Sequence, residues 1–323
     1  MLKNLLEQKK GFKLVCGAGN EDIEEVKKLV TIYSLAGCRF FDISANFEIV
    51  KATKEALKNL NKDKECYICV SVGIDGDPHI NKANINQNLC TNCQACIKTC
   101  PHDAIIKENT IKINTTRCIG CSQCLKKFPQ NAISMYSQLQ DYNEILPKII
   151  ELGIDCIEFH AISTDNNDVM EKWKLLNKLY DGLLCISLDR SELGDKNLID
   201  RVKKMIEIRK PFSTIIQADG IAMSGNNDEL GTTLQAIATA QLFQNANLPA
   251  YIMMSGGTNT KSSEYAKKFG VSPHCIAIGS FARKIVKEYL KLDNLLENKE
   301  ALNNAVKIAT KLVNTSLEHL SDD

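Results

Sequence analysis

The sequence predicts an α/β fold: a (β/α)8 barrel that is interrupted after its third strand by a cysteine-rich insert. Two observations lead to this prediction. Short apolar segments alternate with amphipathic helical segments, three times before residue 81 and five times after residue 137. Eight parallel strands joined by helices can close into a barrel, and an open doubly wound sheet is the alternative. Between residues 81 and 137 the helical periodicity is lost and seven cysteines crowd together.

The first three strands are predicted in KLVCGAGN, RFFDISAN and CYICVSVG. The first of them ends in glycines, and the helix that follows has Asn20 as a candidate N-cap and Gly37 as its stop. FEIVKATKEALKNL is the second helix. These segments make residues 1–80 the first part of the barrel.

The other five strands are predicted in IDCIEFHA, LLCISLDR, FSTIIQADG, AYIMMSGGTN and HCIAIGS, and amphipathic helical segments separate them. They make residues 138–296 the second part of the barrel. Residues 297–323 are expected to add a C-terminal helix. The insert between the two parts comprises residues 81–137.

Two cysteine runs in the insert repeat at an interval of 28 residues. The first run is Cys90-x2-Cys93-x2-Cys96-x3-Cys100-Pro101. The second run is Cys118-x2-Cys121-x2-Cys124-x3-Phe128-Pro129. Both resemble the C-x2-C-x2-C-x3-C-P run of bacterial two-cluster ferredoxins, and IIKENTIKIN between them is expected to be a hairpin. Because soft thiolates suit iron–sulfur clusters, the insert is predicted to be a ferredoxin-type iron–sulfur domain.

The fourth cysteine of each run in such a module ligates the other cluster. The complete ligand set for one [4Fe–4S] cluster is therefore Cys118, Cys121, Cys124 and Cys100. The other set is Cys90, Cys93 and Cys96. Its fourth ligand is expected at position 128, where this chain has Phe128. Three alternatives follow for this site: a [3Fe–4S] cluster, a [4Fe–4S] cluster with another fourth ligand, or no cluster.

Other side chains are poor substitutes for that missing ligand. Cys66 and Cys69 lie three residues apart on a predicted strand and therefore point to opposite faces. Four further cysteines lie in predicted strands, where cysteine is usually a small buried apolar residue: Cys16, Cys156, Cys185 and Cys275. His79 and His102 are closer in sequence but are no better candidates.

Glycine-rich segments end the seventh and eighth predicted strands. In barrels, the loops at these positions often bind phosphate, with help from a helix N-terminus. The candidate phosphate site consists of Ser255, Gly256, Gly257, Gly279, Ser280 and Arg283. It would accept flavin mononucleotide or another phosphate ligand, and the alternative is that these glycines only form tight turns.

Polar residues recur at the ends of the predicted strands, where barrel active sites lie. His160 is the candidate acid–base residue among them. The others are Asp42, Ser44, Glu158, Asp189, Gln217 and Asp219. They form no familiar catalytic constellation.

The charge and hydropathy of the chain exclude some functions. Its formal net charge is +1, which argues against bulk attraction to nucleic acid. No segment is apolar over the length needed to span a bilayer, so we expect a cytoplasmic protein. Residues 86–133 carry six Lys or Arg and two acidic residues. This basic surface is either solvated or a docking face for an acidic electron-transfer partner.

Several segments, in this order, resemble the cyanobacterial light-dependent-period family. They are KLVCGAGNEDIEEVKKLVTIYSLAGCRFFDISAN, the double cysteine run, GIDCIEFHA and QADGIAMSG…GTT…SGGTN. The resemblance covers nearly the whole chain. It implies an iron–sulfur protein that passes cellular redox state to the circadian clock, with clock components and an input histidine kinase as partners. Phe128 departs from the cysteine expected in the family.

We therefore expect a redox-sensing or electron-relay iron–sulfur protein rather than an enzyme. The alternative is an oxidoreductase in which the barrel binds flavin mononucleotide or another phosphate ligand and the inserted clusters relay electrons to it. In either case, protein redox partners are expected.

Overall fold

The computed structural model describes residues 1–75, 77–127, 132–188, 190, 193–220 and 229–320. Eight parallel strands form a closed barrel, which confirms the predicted fold. These strands are β1 (Gly11–Val15), β2 (Phe40–Ser44), β3 (Tyr67–Val72), β8 (Cys156–His160), β9 (Leu183–Leu188), β10 (Thr214–Asp219), β11 (Tyr251–Ser255) and β12 (Cys275–Ile278). They pair in chain order, β12 closes the barrel on β1, and β3 pairs directly with β8 across the insert.

Helices surround this barrel and connect its strands. They are α2 (Ile23–Leu35), α3 (Phe47–Asn59), α5 (Tyr142–Glu151), α6 (Asn166–Leu179), α7 (Asp195–Glu207), α8 (Glu229–Ala246), α9 (Ser262–Lys268), α10 (Ser280–Leu290) and α11 (Lys299–Glu318). Asp22, not the predicted Asn20, caps α2, because the Asp22 side chain accepts the Glu25 N–H at 2.9 Å. Asn20 lies outside the helix, and its side-chain amide donates to Glu25. Among the described residues, no helix combines the length and apolar character that a membrane crossing requires.

A short N-terminal helix, α1 (Leu2–Glu7), was not predicted and closes the base of the barrel. Its buried side chains Leu2, Leu5 and Leu6 belong to the same apolar cluster as Phe40 and Tyr67, whose side chains point into the barrel. Burial of a leucine side chain contributes about 1.5–3 kcal/mol, so α1 stabilises the apolar end. Access to the barrel interior is therefore left to the opposite end, where parallel strands end and barrel active sites lie.

The insert is built on two short antiparallel pairs and one helical turn. Strand β4 (Asn81–Ile85) pairs with β7 (Ile133–Ser137), so the two ends of the insert lie side by side. Helix α4 (Ala95–Thr99) begins after Cys93 and contains Cys96. Strands β5 (Ile105–Lys107) and β6 (Ile111–Ile113) form the predicted hairpin. Because β4 and β7 enter and leave together, the insertion does not interrupt the pairing of β3 with β8.

Polar contacts fix the insert against the loop between β1 and α2. Buried Lys82 of β4 donates to the carbonyl of Gly19 at 2.7 Å and to that of Cys118 at 2.9 Å. Arg117 forms an ion pair with Asp22. A side chain at Gly19 would meet the His79 carbonyl oxygen at 2.8 Å, so glycine is required for this close approach. The second cysteine run is therefore held directly against the barrel.

Candidate metal centres and barrel-mouth site

The structure gathers one cysteine from the first run and three from the second around a common cavity. The cysteines that line it are Cys100, Cys118, Cys121 and Cys124. The remaining lining is largely apolar and includes Ala83, Ile105 and Met135. This is the set that the exchange of fourth ligands between the two runs predicts.

The donors of this cavity suit an iron–sulfur cluster. Burial, and then the neighbouring Cys121, Cys118 and Cys100 thiolates, raise the pKa of the Cys124 thiol to about 11. Four thiolates this close need bound cations to remain deprotonated, and cluster iron supplies that charge. Backbone N–H groups of Ala83 and Ala104 donate to the sulfurs of Cys118 and Cys100, each at 3.3 Å. Such bonds stabilise sulfur in cluster sites and tune reduction potential.

The three remaining cysteines of the insert form a second group, which is more open to solvent. Cys93 is exposed and Cys90 is partly exposed, whereas Cys96 is buried. The Ala95 backbone N–H, followed by the Thr91 side chain, lowers the pKa of the Cys93 thiol. Burial and then repulsion from Cys90 and Cys93 raise the pKa of Cys96. Position 128, where a fourth thiolate was expected, lies outside the described residues.

The two runs present their sulfurs through the same backbone turns. Asn92 and Gly120, which are 28 residues apart, both have positive φ, of 54° and 69°. Gln94 and Ser122, at the same interval, have φ values of 63° and 56°. Non-glycine residues seldom adopt this left-handed conformation. The sequence repeat is therefore also a structural repeat, and each run folds around a site of its own.

His102 lines the four-cysteine cavity where the insert meets the barrel. It is buried, and its Nδ1 has no hydrogen-bond partner among the described residues. Burial, and then the positive charges of Arg283 and Lys287, lower its pKa to about 3. The imidazole is therefore neutral at this interface between insert and barrel.

The barrel interior becomes polar toward the open end. Lys13 of β1 is fully buried, forms an ion pair with Glu158 and donates to Gln217 Oε1 at 2.9 Å. Asp42 lies 3.8 Å from the same ammonium group and accepts from the Ser71 hydroxyl at 2.6 Å. Sequence analysis found these acceptors but missed Lys13. The signal was a lysine between Phe12 and Leu14 in an otherwise apolar strand.

The charges in this interior network are unequal. Burial raises the pKa of Asp42 to about 6, although Lys13 partly opposes that rise. Burial and then the charge of Glu158 raise the pKa of Asp219 to about 6 as well. Burial acts in the same direction on Glu158, but Lys13 and then His160 outweigh it and lower the pKa of Glu158 to about 2. The network therefore holds an excess of carboxylates over Lys13.

His160, the predicted acid–base residue, is held between two carboxylates. Its Nδ1 lies 2.8 Å from Asp77 Oδ2, and its Nε2 lies 3.2 Å from Glu158 Oε1. His79 Nδ1 lies 2.8 Å from the other oxygen of Asp77. His79 and His160 contact each other edge to face, with ring centroids 4.7 Å apart. Sequence analysis had considered His79 only as a cluster ligand and had not considered Asp77.

Residues 148–315, more than half of the chain, match the family described as the Light dependent period A C-terminal domain. The chain belongs to this family. Residues 82–129 match the 4Fe-4S dicluster domain. Light dependent period A of Synechococcus elongatus is 26% identical over 258 residues, which cover 77% of this chain and 71% of that protein. The predicted resemblance is therefore confirmed, and the chain is an iron–sulfur protein of the light dependent period A family.

Solved structures similar to this family member include two enzymes. A truncated 3-deoxy-D-arabino-heptulosonate 7-phosphate synthase from Thermotoga maritima is 14% identical, with a TM-score of 0.45. The match covers 94% of this chain and 88% of the chain of that enzyme. 3-Hexulose-6-phosphate synthase from Salmonella typhimurium is 10% identical, with a TM-score of 0.47. The match covers 96% of this chain and 99% of the chain of that enzyme. The barrel assignment rests on the strand order given above.

The cysteines outside the insert are buried in this family member, as predicted. Cys69, Cys156, Cys185 and Cys275 belong to the apolar cluster inside the barrel. Cys16, Cys38 and Cys66 belong to the cluster between barrel and helices. Cys66 and Cys69 thus lie on opposite faces of the sheet. None of the seven belongs to the apolar core of the insert that the described residues form.

The predicted phosphate residues lie at neighbouring strand ends, because β11 pairs with β12. Gly256 and Gly257 have φ values of 64° and 88°. A side chain at Gly256 would meet the Gly220 amide nitrogen at 2.7 Å, and one at Gly279 would meet Val15 at 3.1 Å. These glycines are therefore needed for close packing of the family's barrel loops, and phosphate binding stays a prediction.

Arg283, the charged member of that candidate site, points toward the insert. Its Nε and Nη2 donate to the two carboxylate oxygens of Glu25 at 2.8 and 2.9 Å. Its Nη1 donates to the Pro101 carbonyl at 2.8 Å. The guanidinium charge is thus neutralised by Glu25, and Arg283 links α10 to the residue after Cys100. Ser255 and Ser280 lie at the strand ends as expected, and Asp189 lies outside the described residues.

Proposed function

We propose that the chain senses cellular redox state through two unequal iron–sulfur centres in its insert. The observation that carries this proposal is the division of the seven insert cysteines into a four-cysteine set and a three-cysteine set. In the first centre, a [4Fe–4S] cluster is held by Cys118, Cys121, Cys124 and Cys100. In the second, Cys90, Cys93 and Cys96 hold a [4Fe–4S] or [3Fe–4S] cluster.

The two centres differ in ligand number and in exposure to solvent, and this difference is what would let the insert act as a sensor. The four-thiolate centre lies in a largely apolar cavity, beside the contacts that attach the insert to the barrel. The three-thiolate centre lies next to solvent at Cys93. An iron without a thiolate ligand is the one most easily released on oxidation, and exposure affects cluster chemistry further. Oxidants should therefore act first at the three-thiolate centre.

Replacement of the shared ligand tests the proposed ligand sets. Cys100→Ala should remove one thiolate from the Cys118 centre and leave the other centre intact, because the two runs exchange their fourth positions. Iron and sulfide analysis with EPR of anaerobically purified protein will show which centre is lost. Cys66→Ala, which removes a buried thiol from the barrel, is the control. Selective loss of the cluster at Cys90, Cys93 and Cys96 would contradict the exchange.

Restoring the expected cysteine tests the proposed sensor. Phe128→Cys should provide the three-thiolate centre with a fourth ligand and slow its loss of iron in air. After the same brief oxidation, the EPR signal of an oxidised [3Fe–4S] cluster should be present in the wild type and weaker in the variant. Leu125→Cys adds a thiol in the same run but out of register, and it should not protect. Equal signals in all three proteins would mean that position 128 does not complete the site.

We further propose that the redox signal passes to protein partners, as the resemblance to the light-dependent-period family implies. Clock components or a histidine kinase are the expected class. The basic surface of the insert, with exposed Lys98, Lys107 and Lys112, suits an acidic partner. Binding of reduced and oxidised protein to such partners, measured at two salt concentrations, tests this step. Binding that is independent of both redox state and salt would contradict it.

A further inference from the structure

The open end of the barrel brings two histidines and an aspartate together outside the cysteine sets. Asp77 and His79 lie between β3 and the insert, and His160 ends β8, the strand that pairs with β3. Ligand atoms of the three side chains all lie within 4.8 Å of one another. Asp77 and His160 are buried, whereas the His79 side chain is 46% exposed. The group therefore has buried donors on one side and solvent on the other.

We propose that Asp77, His79 and His160 bind one divalent first-row transition-metal ion, with its remaining coordination positions open to solvent. Two imidazoles and one carboxylate with open positions are the donor set of mononuclear non-haem iron sites, and imidazole also suits zinc. The site is distinct from the iron–sulfur centres, because it uses none of the cysteines. It adds a function to the barrel, which has no part in the redox proposal.

The distances allow an ion to replace two protons. Without metal, the Nδ1–H groups of His79 and His160 donate to the two oxygens of Asp77, each at 2.8 Å. Ligand atoms around an ion with bonds of about 2.1 Å lie about 3.0–3.4 Å apart in octahedral or tetrahedral geometry. Binding therefore requires small shifts of each imidazole relative to Asp77, and it brings the two imidazole nitrogens, now within 4.8 Å, to the same spacing, with the two imidazole protons released.

A second layer of contacts supports the proposed ligands. Metal-binding histidines usually donate their other ring N–H to a carboxylate, which fixes the tautomer and orients the ring. His160 Nε2 lies 3.2 Å from Glu158 Oε1 and is suited to this role. Glu158 is fixed in turn by Lys13 and by Gln217 Nε2 at 2.8 Å. Asp77 is fixed because its Oδ1 also accepts the His79 backbone N–H at 2.8 Å.

Electrostatics at this end of the barrel favour a cation. The negative charge of Glu158 raises the pKa of Asp219, and the positive charges of His160 and His79 lower it. With Asp42 and Asp77, four carboxylates share this region with Lys13 and the imidazoles of His79 and His160. A divalent cation at Asp77 would relieve this repulsion without burying further anionic charge.

The proposed site touches the loop that carries the four-thiolate centre. Gly120, between Cys118 and Cys121, has φ of 69°, and a side chain there would overlap the Pro78 carbonyl oxygen. Pro78 stands between the ligands Asp77 and His79. The second cysteine run and the metal site thus share a backbone contact, so the ion would lie where barrel and insert meet.

Manganese binding by the cluster-loaded protein tests the proposal, since Mn²⁺ prefers carboxylate and nitrogen donors to thiolate. Equilibrium dialysis with elemental analysis counts manganese separately from cluster iron. We expect one Mn²⁺ per wild-type chain and an affinity at least about tenfold lower in Asp77→Asn and His79→Gln, in line with loss of one ligand. Asn preserves the cap that Asp77 provides, so folding should survive. Asp141→Asn, at the cap of α5, and His319→Gln are matched controls that should bind as the wild type does.

Spectroscopy separates a built site from adventitious binding. Electron spin-echo modulation of bound Mn²⁺ should show coupling to histidine nitrogen in the wild type, and His79→Gln should reduce that coupling. Iron and sulfide contents should be equal in all variants, so failure here is distinguishable from failure of the sensor. Absence of Mn²⁺ binding, equal affinity in the variants and controls, or absence of nitrogen coupling would overturn the proposal. Asp77 would then serve only to fix the two imidazoles.

Discussion

The link between Arg283 and Glu25 should determine how firmly the insert is attached to the barrel. Both side chains are buried, with exposures of 8% and 7%, and two charge-assisted hydrogen bonds join them. The third bond of Arg283 reaches the Pro101 carbonyl, directly after Cys100, a proposed ligand of the four-thiolate centre. Arg283→Met should therefore loosen both the fold and the four-thiolate centre.

The size of the effect follows from the charge that remains. Arg283→Met leaves Glu25 buried without its cation, and breaking a buried ion pair in this way costs about 3–5 kcal/mol. Asn20 Nδ2 still donates to Glu25 at 3.1 Å, so we expect the low end, about 3 kcal/mol. In a protein of this size, that lowers the melting temperature by about 5–10 °C. Combining Arg283→Met with Glu25→Gln removes the stranded charge and should restore more than half of the loss.

A double-mutant cycle measures this coupling. Thermal unfolding is followed by circular dichroism, and cluster loss by absorbance, in the wild type, both single variants and the double variant. Lys291→Met, which removes the exposed partner of Glu288, is a control for loss of a cation from the same segment, and it should change stability by less than about 1 kcal/mol. If Arg283→Met costs no more than that control, or if the two single effects simply add, the buried pair does not hold the insert.

Three other predictions concern the barrel. Lys13→Met should cost about 3–5 kcal/mol in thermal unfolding, because it leaves Glu158 buried without its cation, and adding Glu158→Gln should recover part of that cost. The pKa of Asp219 is raised to about 6, so the stability that its protonated form gives the folded state is lost as pH rises from about 4 to about 6. Between pH 5 and 7 the free energy of unfolding of the wild type should therefore fall by about 1 kcal/mol more than that of Asp219→Asn. Melting curves at both pH values will show this difference. If the ends of β11 and β12 bind phosphate, then flavin mononucleotide, a nucleotide or a sugar phosphate should raise the melting temperature in proportion to saturation. Ser280→Ala should reduce that rise. No rise with any of these ligands would mean that these residues only form turns.

The strand–helix alternation predicted the barrel but left an open doubly wound sheet as the alternative, and the pairing of β1 with β12 decides between the two. The resemblance of the cysteine spacing to two-cluster ferredoxins predicted which four cysteines line one cavity, because the fourth cysteine of each run joins the other set in that module. Both predictions depend on local patterns that repeat along the chain. The hairpin over IIKENTIKIN was predictable for the same reason, as β5 and β6 show.

Contacts between distant segments were not predictable in the same way. Arg283 looked like a phosphate ligand because it begins a helix after a glycine, but its partner Glu25 is 258 residues away in sequence. Lys13 was missed because its partners, Glu158 and Gln217, are 145 and 204 residues away in sequence. The apolar residues of α1 gave no signal, because six residues are too few for a clear helical period.

The position of the insert bears on the proposed loss of one cluster to oxidants, because the fold should survive that loss. Every contact described above between insert and barrel comes from residues near the four-thiolate centre: Lys82 bonds to the Cys118 carbonyl, and Arg283 bonds beside Cys100. The β4–β7 pair holds the two ends of the insert independently of either cluster. Cys93, by contrast, faces solvent. On the proposed mechanism, loss of iron at the three-thiolate centre should leave these attachment contacts in place and change the surface at Cys93, where a partner protein would meet it.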